Sequence, residues 1–143
     1  MSFKNEQLSL HIEEAIQALK VKDTTTIIFE ITETAAVSDF QATIDMMCGI
    51  KKLGCKFALD DFGVGFSSLS YLKEFPFDYV KIDGSFIKNI DKDIGDQVMV
   101  KAVVEVSKAF GRKTVAEFVE NESILNILKT LQVDYVQGYF IDL

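Results

Sequence analysis

Acidic and other polar side chains recur at the ends of the apolar stretches in this 143-residue sequence. Glu30 lies within FEI and Glu117 within AEFV, where an unpaired carboxylate would be costly, so each needs a cation. Further stretches end in residues of the same kind, namely Asp60 with Asp61, Lys81 with Asp83, Glu120 just beyond Glu117, and Gln137. This recurrence predicts one site that these residues share.

Four of these acids could bind a metal ion: Glu30, Asp60, Asp61 and Glu117. Their hard oxygen ligands suit Mg²⁺ or Mn²⁺, and zinc is less favoured because the only histidine, His11, lies on the first predicted helix. Adjacent acids let one carboxylate bridge two ions about 3.5–4 Å apart, an arrangement used for in-line displacement at phosphorus. Lys81 would then hold or activate the attacking water, or offset charge in the transition state.

Each residue also has a structural interpretation. Lys81 and Asp83 share a strand face and could form a simple ion pair. Glu33 and Glu122 suit the first turn of a helix, where acids complement the dipole. The spacing equally allows a barrel enzyme of the enolase type, in which a lysine base and Mg²⁺ act on a carboxylate substrate.

The elements that must position these residues alternate along the chain. Strands are predicted over residues 24–31, 56–60, 79–83, 114–119 and 134–138. Helices are predicted over 5–20, after a capping box at Ser38 and Gln41, over 68–73 and 98–110, and after an N-cap at Asn121. Such alternation indicates an α/β fold with a parallel sheet, whose strand ends lie on one rim.

Length and composition bound the remaining possibilities. The chain is about one domain long, whereas a complete (β/α)₈ barrel takes about 250 residues and seldom fewer than about 200. A net charge of −7 argues against binding to a nucleic-acid polymer. No apolar stretch could cross a membrane and no signal peptide is evident, which predicts a cytoplasmic protein. Cys48 and Cys55 are expected to be buried thiols.

Four segments in this order resemble the C-terminal part of EAL domains, the bacterial cyclic di-GMP phosphodiesterases: FEITET, ALDDFGVGFSSLSYLKEFPFDYVKID, TVAEFVE and VQGY. The resemblance implies a partial (β/α) barrel of about five parallel strands, equivalent to the last five strands of an EAL-type TIM-like barrel. Residues 1–143 would then form a single truncated EAL-like domain. The implied reaction is metal-dependent hydrolysis of cyclic di-GMP to pGpG with two Mg²⁺ or Mn²⁺ ions.

The resemblance also implies roles residue by residue. Glu30, Asp60, Asp61 and Glu117 are similar to the metal ligands, and Lys81 to the lysine that contacts the water. Glu33 resembles the glutamate that anchors the loop after the paired aspartates. Asp83, Glu120 and Gln137 resemble polar residues that contact the substrate.

The sequence departs from the family pattern at several positions, of which Phe66 in place of tyrosine is a mild one. The Glu-Ala-Leu signature and the asparagine ligand of the next strand are absent, and Phe118 replaces the glycine usual in Ala-Glu-Gly-Val-Glu. Losing two metal ligands predicts impaired catalysis, and the alternative is a non-catalytic module that binds cyclic di-GMP or a protein. Open sheet edges predict a homodimer.

Overall fold

The fold comes from a computed structural model that describes residues 27–32, 36, 39–62 and 69–137, without the side chains of Asp61 and residues 69–71. The predicted helix over 5–20 and the site residue Glu33 lie outside these ranges. The described elements, in chain order, are β1 (Ile28–Thr32), α1 (Phe40–Lys51), β2 (Lys56–Phe62), α2 (Leu69–Glu74), β3 (Tyr79–Ile82), α3 (Gly84–Ile87), α4 (Ile94–Ala109), β4 (Lys113–Ala116), α5 (Glu122–Thr130) and β5 (Tyr135–Val136).

The five strands form one parallel sheet in the order β1-β2-β3-β4-β5. Right-handed crossovers between sequential neighbours put the helices on one face, as in the wall of a (β/α) barrel. The core lies between that face and the helices, where Phe57, Val80 and Ile82 of the sheet share a buried cluster with residues of α1, α4 and α5. The predicted α/β architecture with five parallel strands is confirmed.

Side-chain caps fix where the helices begin. Asp93 accepts a hydrogen bond from the Asp96 amide at 3.2 Å at the start of α4, and Asn121 accepts one from the Ile124 amide at 2.9 Å at the start of α5. The predicted Asn121 cap is therefore confirmed. The predicted Ser38 cap is wrong, because Asp39 caps α1 and accepts from the Ala42 amide at 3.4 Å.

Two further predictions need correction. Cys55 is buried as expected, and burial raises the pKa of its thiol, but Cys48 is exposed on α1. The short helix α3 was not predicted; it begins directly after Asp83, whose carboxylate accepts from the Ser85 amide at 2.9 Å. A four-residue helix carries too little periodicity to be seen in the sequence.

The tripeptide Asp-Tyr-Val occurs at the start of β3 and again at the start of β5. Asp78 accepts from the Phe57 amide at 2.9 Å and pairs with Lys51 at 2.7 Å. Asp134 accepts from the Thr114 amide at 2.9 Å and the Thr114 hydroxyl at 3.2 Å. Each aspartate thus ties its own strand to the preceding one at the edge opposite the polar strand ends.

Among the described residues, no helix is both long and apolar enough to span a membrane.

We expect Asp134→Ala to lower the free energy of unfolding by about 1–3 kcal/mol, because it leaves the buried Thr114 amide without its acceptor. Urea denaturation of both proteins measures the change. Glu105→Ala, on the exposed side of α4, is the matched control and should change stability by less than about 0.5 kcal/mol. Equal effects of the two substitutions would contradict the assigned role of Asp134.

Candidate active site

Lys81 lies at the centre of the sheet face that the helices leave open. It belongs to β3 and is only 8% exposed. Its ammonium nitrogen Nζ lies 2.5 Å from Glu30 Oε1 and 2.5 Å from Glu117 Oε1. The two glutamates predicted to need a cation share this one, but the Glu30 side chain is 50% exposed and that of Glu117 21%, so the burial argument holds better for Glu117.

Strand register explains how this contact forms. Glu30 on β1 faces Ala58 on β2, and Ala58 in turn faces Tyr79 on β3, two residues before Lys81. Because strand side chains alternate, all of these point to the same face of the sheet. The short side chain of Ala58 lets Lys81 reach across β2 to Glu30.

Two opposing effects act on the Lys81 ammonium. Burial lowers its pKa, but hydrogen bonds to Glu117 and Glu30 outweigh the burial, so the pKa of Lys81 is raised above its ordinary value of 10.5. Lys81 is therefore a cation at neutral pH. The alternative ion pair with Asp83 is wrong, because Lys81 contacts the two glutamates and Asp83 caps α3.

An open cavity of about 410 Å³ surrounds this ion pair. Glu30, Lys81 and Gln137 form its polar part, and Ile28, Tyr79 and Tyr135 lie in its apolar part. The rings of Tyr79 and Tyr135 contact each other edge to face with centroids 6.0 Å apart. The cavity thus combines an aromatic wall with a charged strand-end cluster.

A second cavity of about 330 Å³ lies at the rim, beside α3. It is lined by Asp83, Gly84, Ser85, Lys88, Phe118 and Glu120. The residues predicted to contact substrate are therefore divided, with Gln137 in the cavity around Lys81 and Asp83 and Glu120 in this one. Lys88 was not a predicted site residue. It is an exposed lysine at the end of a short helix, and nothing in the sequence around it indicates a site.

The predicted metal ligands are only partly described. Asp60 lies near the end of β2, opposite Thr32, while the side chain of Asp61 is outside the described part. Within the described ranges, no three Asp, Glu, His or Cys side chains lie close enough together to hold a metal ion. The predicted four-carboxylate set therefore stays a prediction.

Glu30 and Glu117 nevertheless suit a hard cation. Their Oε1 atoms lie at most twice 2.5 Å apart, since both contact the same nitrogen. An ion with bonds of about 2.0–2.1 Å to oxygen spans at most about 4.2 Å, so one ion shared by both oxygens needs them nearer than this upper limit. The donor chemistry fits a divalent ion, with further oxygen ligands needed to complete its shell.

The chain is similar to proteins of a known family. The EAL domain family matches residues 1–142. The chain belongs to the EAL family. It is 50% identical over 113 residues to the cyclic di-GMP phosphodiesterase PdeB of Shewanella oneidensis, covering 79% of the chain and 13% of PdeB. It is 44% identical over 113 residues to the cyclic di-GMP phosphodiesterase PdeA of Borreliella burgdorferi, covering 79% of the chain and 17% of that protein.

Solved EAL structures have the same fold. The PaMucR phosphodiesterase in complex with c-di-GMP superimposes with a TM-score of 0.85 at 32% identity, over 91% of this chain and 52% of that one. The EAL domain of Mycobacterium smegmatis DcpA gives a TM-score of 0.85 at 33% identity, over 93% of this chain and 59% of that one. The chain thus spans a little over half the length of these structures and a smaller share of the curated relatives.

We expect Lys81→Met in this EAL chain to lower the free energy of unfolding at pH 7 by about 1–3 kcal/mol, because Glu117 and Glu30 lose their cation. A lysine whose pKa is raised on folding stabilises the fold fully below its unfolded value of 10.5, and this contribution disappears as the pH rises through the folded value. The stability difference should therefore shrink at strongly alkaline pH. Denaturation of both proteins across pH 7–12 measures it.

Lys101→Met, at an exposed position of α4, is the control and should show no such difference. A Lys81→Met variant as stable as the wild type at pH 7 would refute the role of the ion pair.

Proposed function

We propose that this EAL chain binds cyclic di-GMP on the open sheet face and that, in isolation, it hydrolyses the ligand to pGpG only weakly. The observation that carries the proposal is the Lys81 ammonium held between Glu30 and Glu117, with Lys81 and Glu30 lining an open cavity. Support also comes from relatives named cyclic di-GMP phosphodiesterases and from an EAL structure, that of PaMucR, in complex with c-di-GMP.

Charge at the cluster determines how the ligand would bind. One lysine with two glutamates leaves a net negative charge, which repels a phosphodiester. The whole chain adds to the repulsion, with its net charge of −7. Binding of the ligand phosphates therefore requires a divalent cation.

EAL phosphodiesterases in general depend on divalent metal ions. In our proposal, Mg²⁺ or Mn²⁺ is held by Glu30, Asp60, Asp61 and Glu117. The bound ion would stabilise developing charge at phosphorus.

The remaining residues would orient the ligand. Lys81 would offset phosphate charge and orient the attacking water, while Gln137 would donate or accept a hydrogen bond within the same cavity. Asp83 and Glu120 would contact the nucleotide from the rim cavity, and Glu33 would anchor the loop after Asp61. Turnover by these 143 residues alone would be weak, because they include neither the Glu-Ala-Leu glutamate nor the asparagine ligand, and even one lost supporting group typically costs about 10–100-fold.

Calorimetric titration of the purified chain with cyclic di-GMP should show binding with Mg²⁺ and at least about tenfold weaker binding without it. Glu117→Gln should weaken the Mg²⁺-dependent binding by about 10–100-fold. Glu122→Gln, an exposed substitution in the first turn of α5, is the control and should bind like the wild type.

The same preparation incubated with Mn²⁺ distinguishes an enzyme from a binding module. Slow formation of pGpG supports the weak enzyme, and binding without product supports the non-catalytic module. Absence of binding with and without the metal would overturn the proposal.

We also propose that the chain forms a homodimer through the exposed outer strands of its sheet. Among the described residues, β1 and β5 are the outer strands of the sheet, and Ile28 and Tyr135 on them are 47% and 51% exposed. Unpaired strand edges and exposed apolar side chains favour association. A second copy would cover both.

Sedimentation equilibrium at micromolar concentration should therefore give twice the 16.1 kDa chain mass. Tyr135→Lys should shift the protein toward the monomer, because it puts a charge into the proposed interface. Ile94→Lys, at an exposed apolar position in the helical layer, should leave the dimer intact. A wild-type mass of 16.1 kDa would exclude the dimer.

A further inference from the structure

Phe118 has an unusual backbone conformation and an exposed side chain, and packing in the core accounts for neither. Its φ angle is +62°, in the left-handed region that favours glycine, and its side chain is 57% exposed. A large apolar residue at such a backbone position is strained, and an exposed ring gains little from burial. The EAL segment that this position resembles has a glycine here, so the ring is a property of this chain.

The ring nevertheless has a defined place, on the backbone of Gly84. A Cβ atom built on Gly84 would overlap Phe118 Cδ2 and lie 2.9 Å from Cε2, closer than real Cβ atoms come. Only a glycine at position 84 therefore allows the ring to lie where it does. Gly84 covers part of the ring, and more than half of the side chain remains open to solvent.

The open part of the ring faces the rim cavity of about 330 Å³. Glu120 offers an exposed carboxylate there, and Lys88 offers an ammonium. An aromatic face with hydrogen-bonding groups beside it is the arrangement by which proteins hold unpaired bases.

Phe118 directly follows Glu117, whose carboxylate contacts Lys81, and neighbouring Cα atoms are about 3.8 Å apart. The rim cavity that Phe118 lines therefore begins one residue beyond a side chain of the proposed phosphate site.

We propose that Phe118 is a stacking platform for a purine base of the bound nucleotide. The proposal rests on the cyclic di-GMP binding proposed above and names a residue that determines its affinity. Glu120 accepts a hydrogen bond from a base N–H group in this arrangement, and Gly84 keeps the ring in place.

Calorimetry with cyclic di-GMP and Mg²⁺ tests the proposal on the wild type and two variants. Phe118→Gly removes the ring and the backbone strain together, so we expect about 5- to 150-fold weaker binding with a higher urea midpoint. Phe118→Trp keeps an aromatic face, so we expect wild-type affinity. Weaker binding by a more stable protein cannot come from unfolding.

Fluorescence gives a second readout, because the sequence contains no tryptophan and Phe118→Trp introduces a unique one. Cyclic di-GMP should quench its emission, with a midpoint that matches calorimetry. Wild-type affinity in Phe118→Gly, or an unquenched tryptophan when calorimetry shows binding, would overturn the stacking role and leave the proposed function standing. A wild type that fails to bind would instead overturn the proposed function and the stacking role with it.

Discussion

The contact of Lys81 with Glu30 and Glu117 decides what the open face of this sheet can do. The Lys81 side chain is only 10% exposed, and its buried ammonium is tolerable only beside the carboxylates of Glu117 and Glu30, whose side chains are 21% and 50% exposed. Lys81 on β3 thereby joins β1, β3 and the end of β4 across the face. Because the cluster keeps a net negative charge, the same contact that permits the buried lysine also makes a phosphate ligand depend on a divalent ion.

Much of the fold could be predicted from the sequence, because hydrophobic periodicity reports which face of an element is buried. The alternation of strands and helices, the parallel sheet and the Asn121 cap all follow from such local patterns. The predictions are wrong where two neighbouring residues could take the same position. Asp39 caps α1 instead of the adjacent Ser38. Cys48 lies on the exposed side of that helix, because each residue is rotated by about 100° from the one before it.

The site was predictable in outline, because strand ends of a parallel sheet meet at one edge. That rule brings Glu30, Lys81 and Gln137 to one cavity. It does not give register, so the reach of Lys81 across Ala58 and the placement of Asp83 and Glu120 in a separate cavity were not predictable. The sequence marks Phe118 only as a departure from the family pattern, whereas its left-handed backbone and its contact with Gly84 are visible only in the structure. Asp60, Asp61 and Glu33 stay predicted members of the site.

A double-mutant cycle between Lys81 and Glu117, with Lys81→Met and Glu117→Gln, tests the central contact most directly. The free energies of unfolding of the wild type, both single variants and the double variant are measured at pH 7 by urea denaturation. We predict a coupling energy of about 1–3 kcal/mol, because the double variant removes the Lys81 and Glu117 charges together, while loss of the Glu30 contact is common to both proteins that carry Lys81→Met. Effects that add to within about 0.3–0.5 kcal/mol would contradict the account.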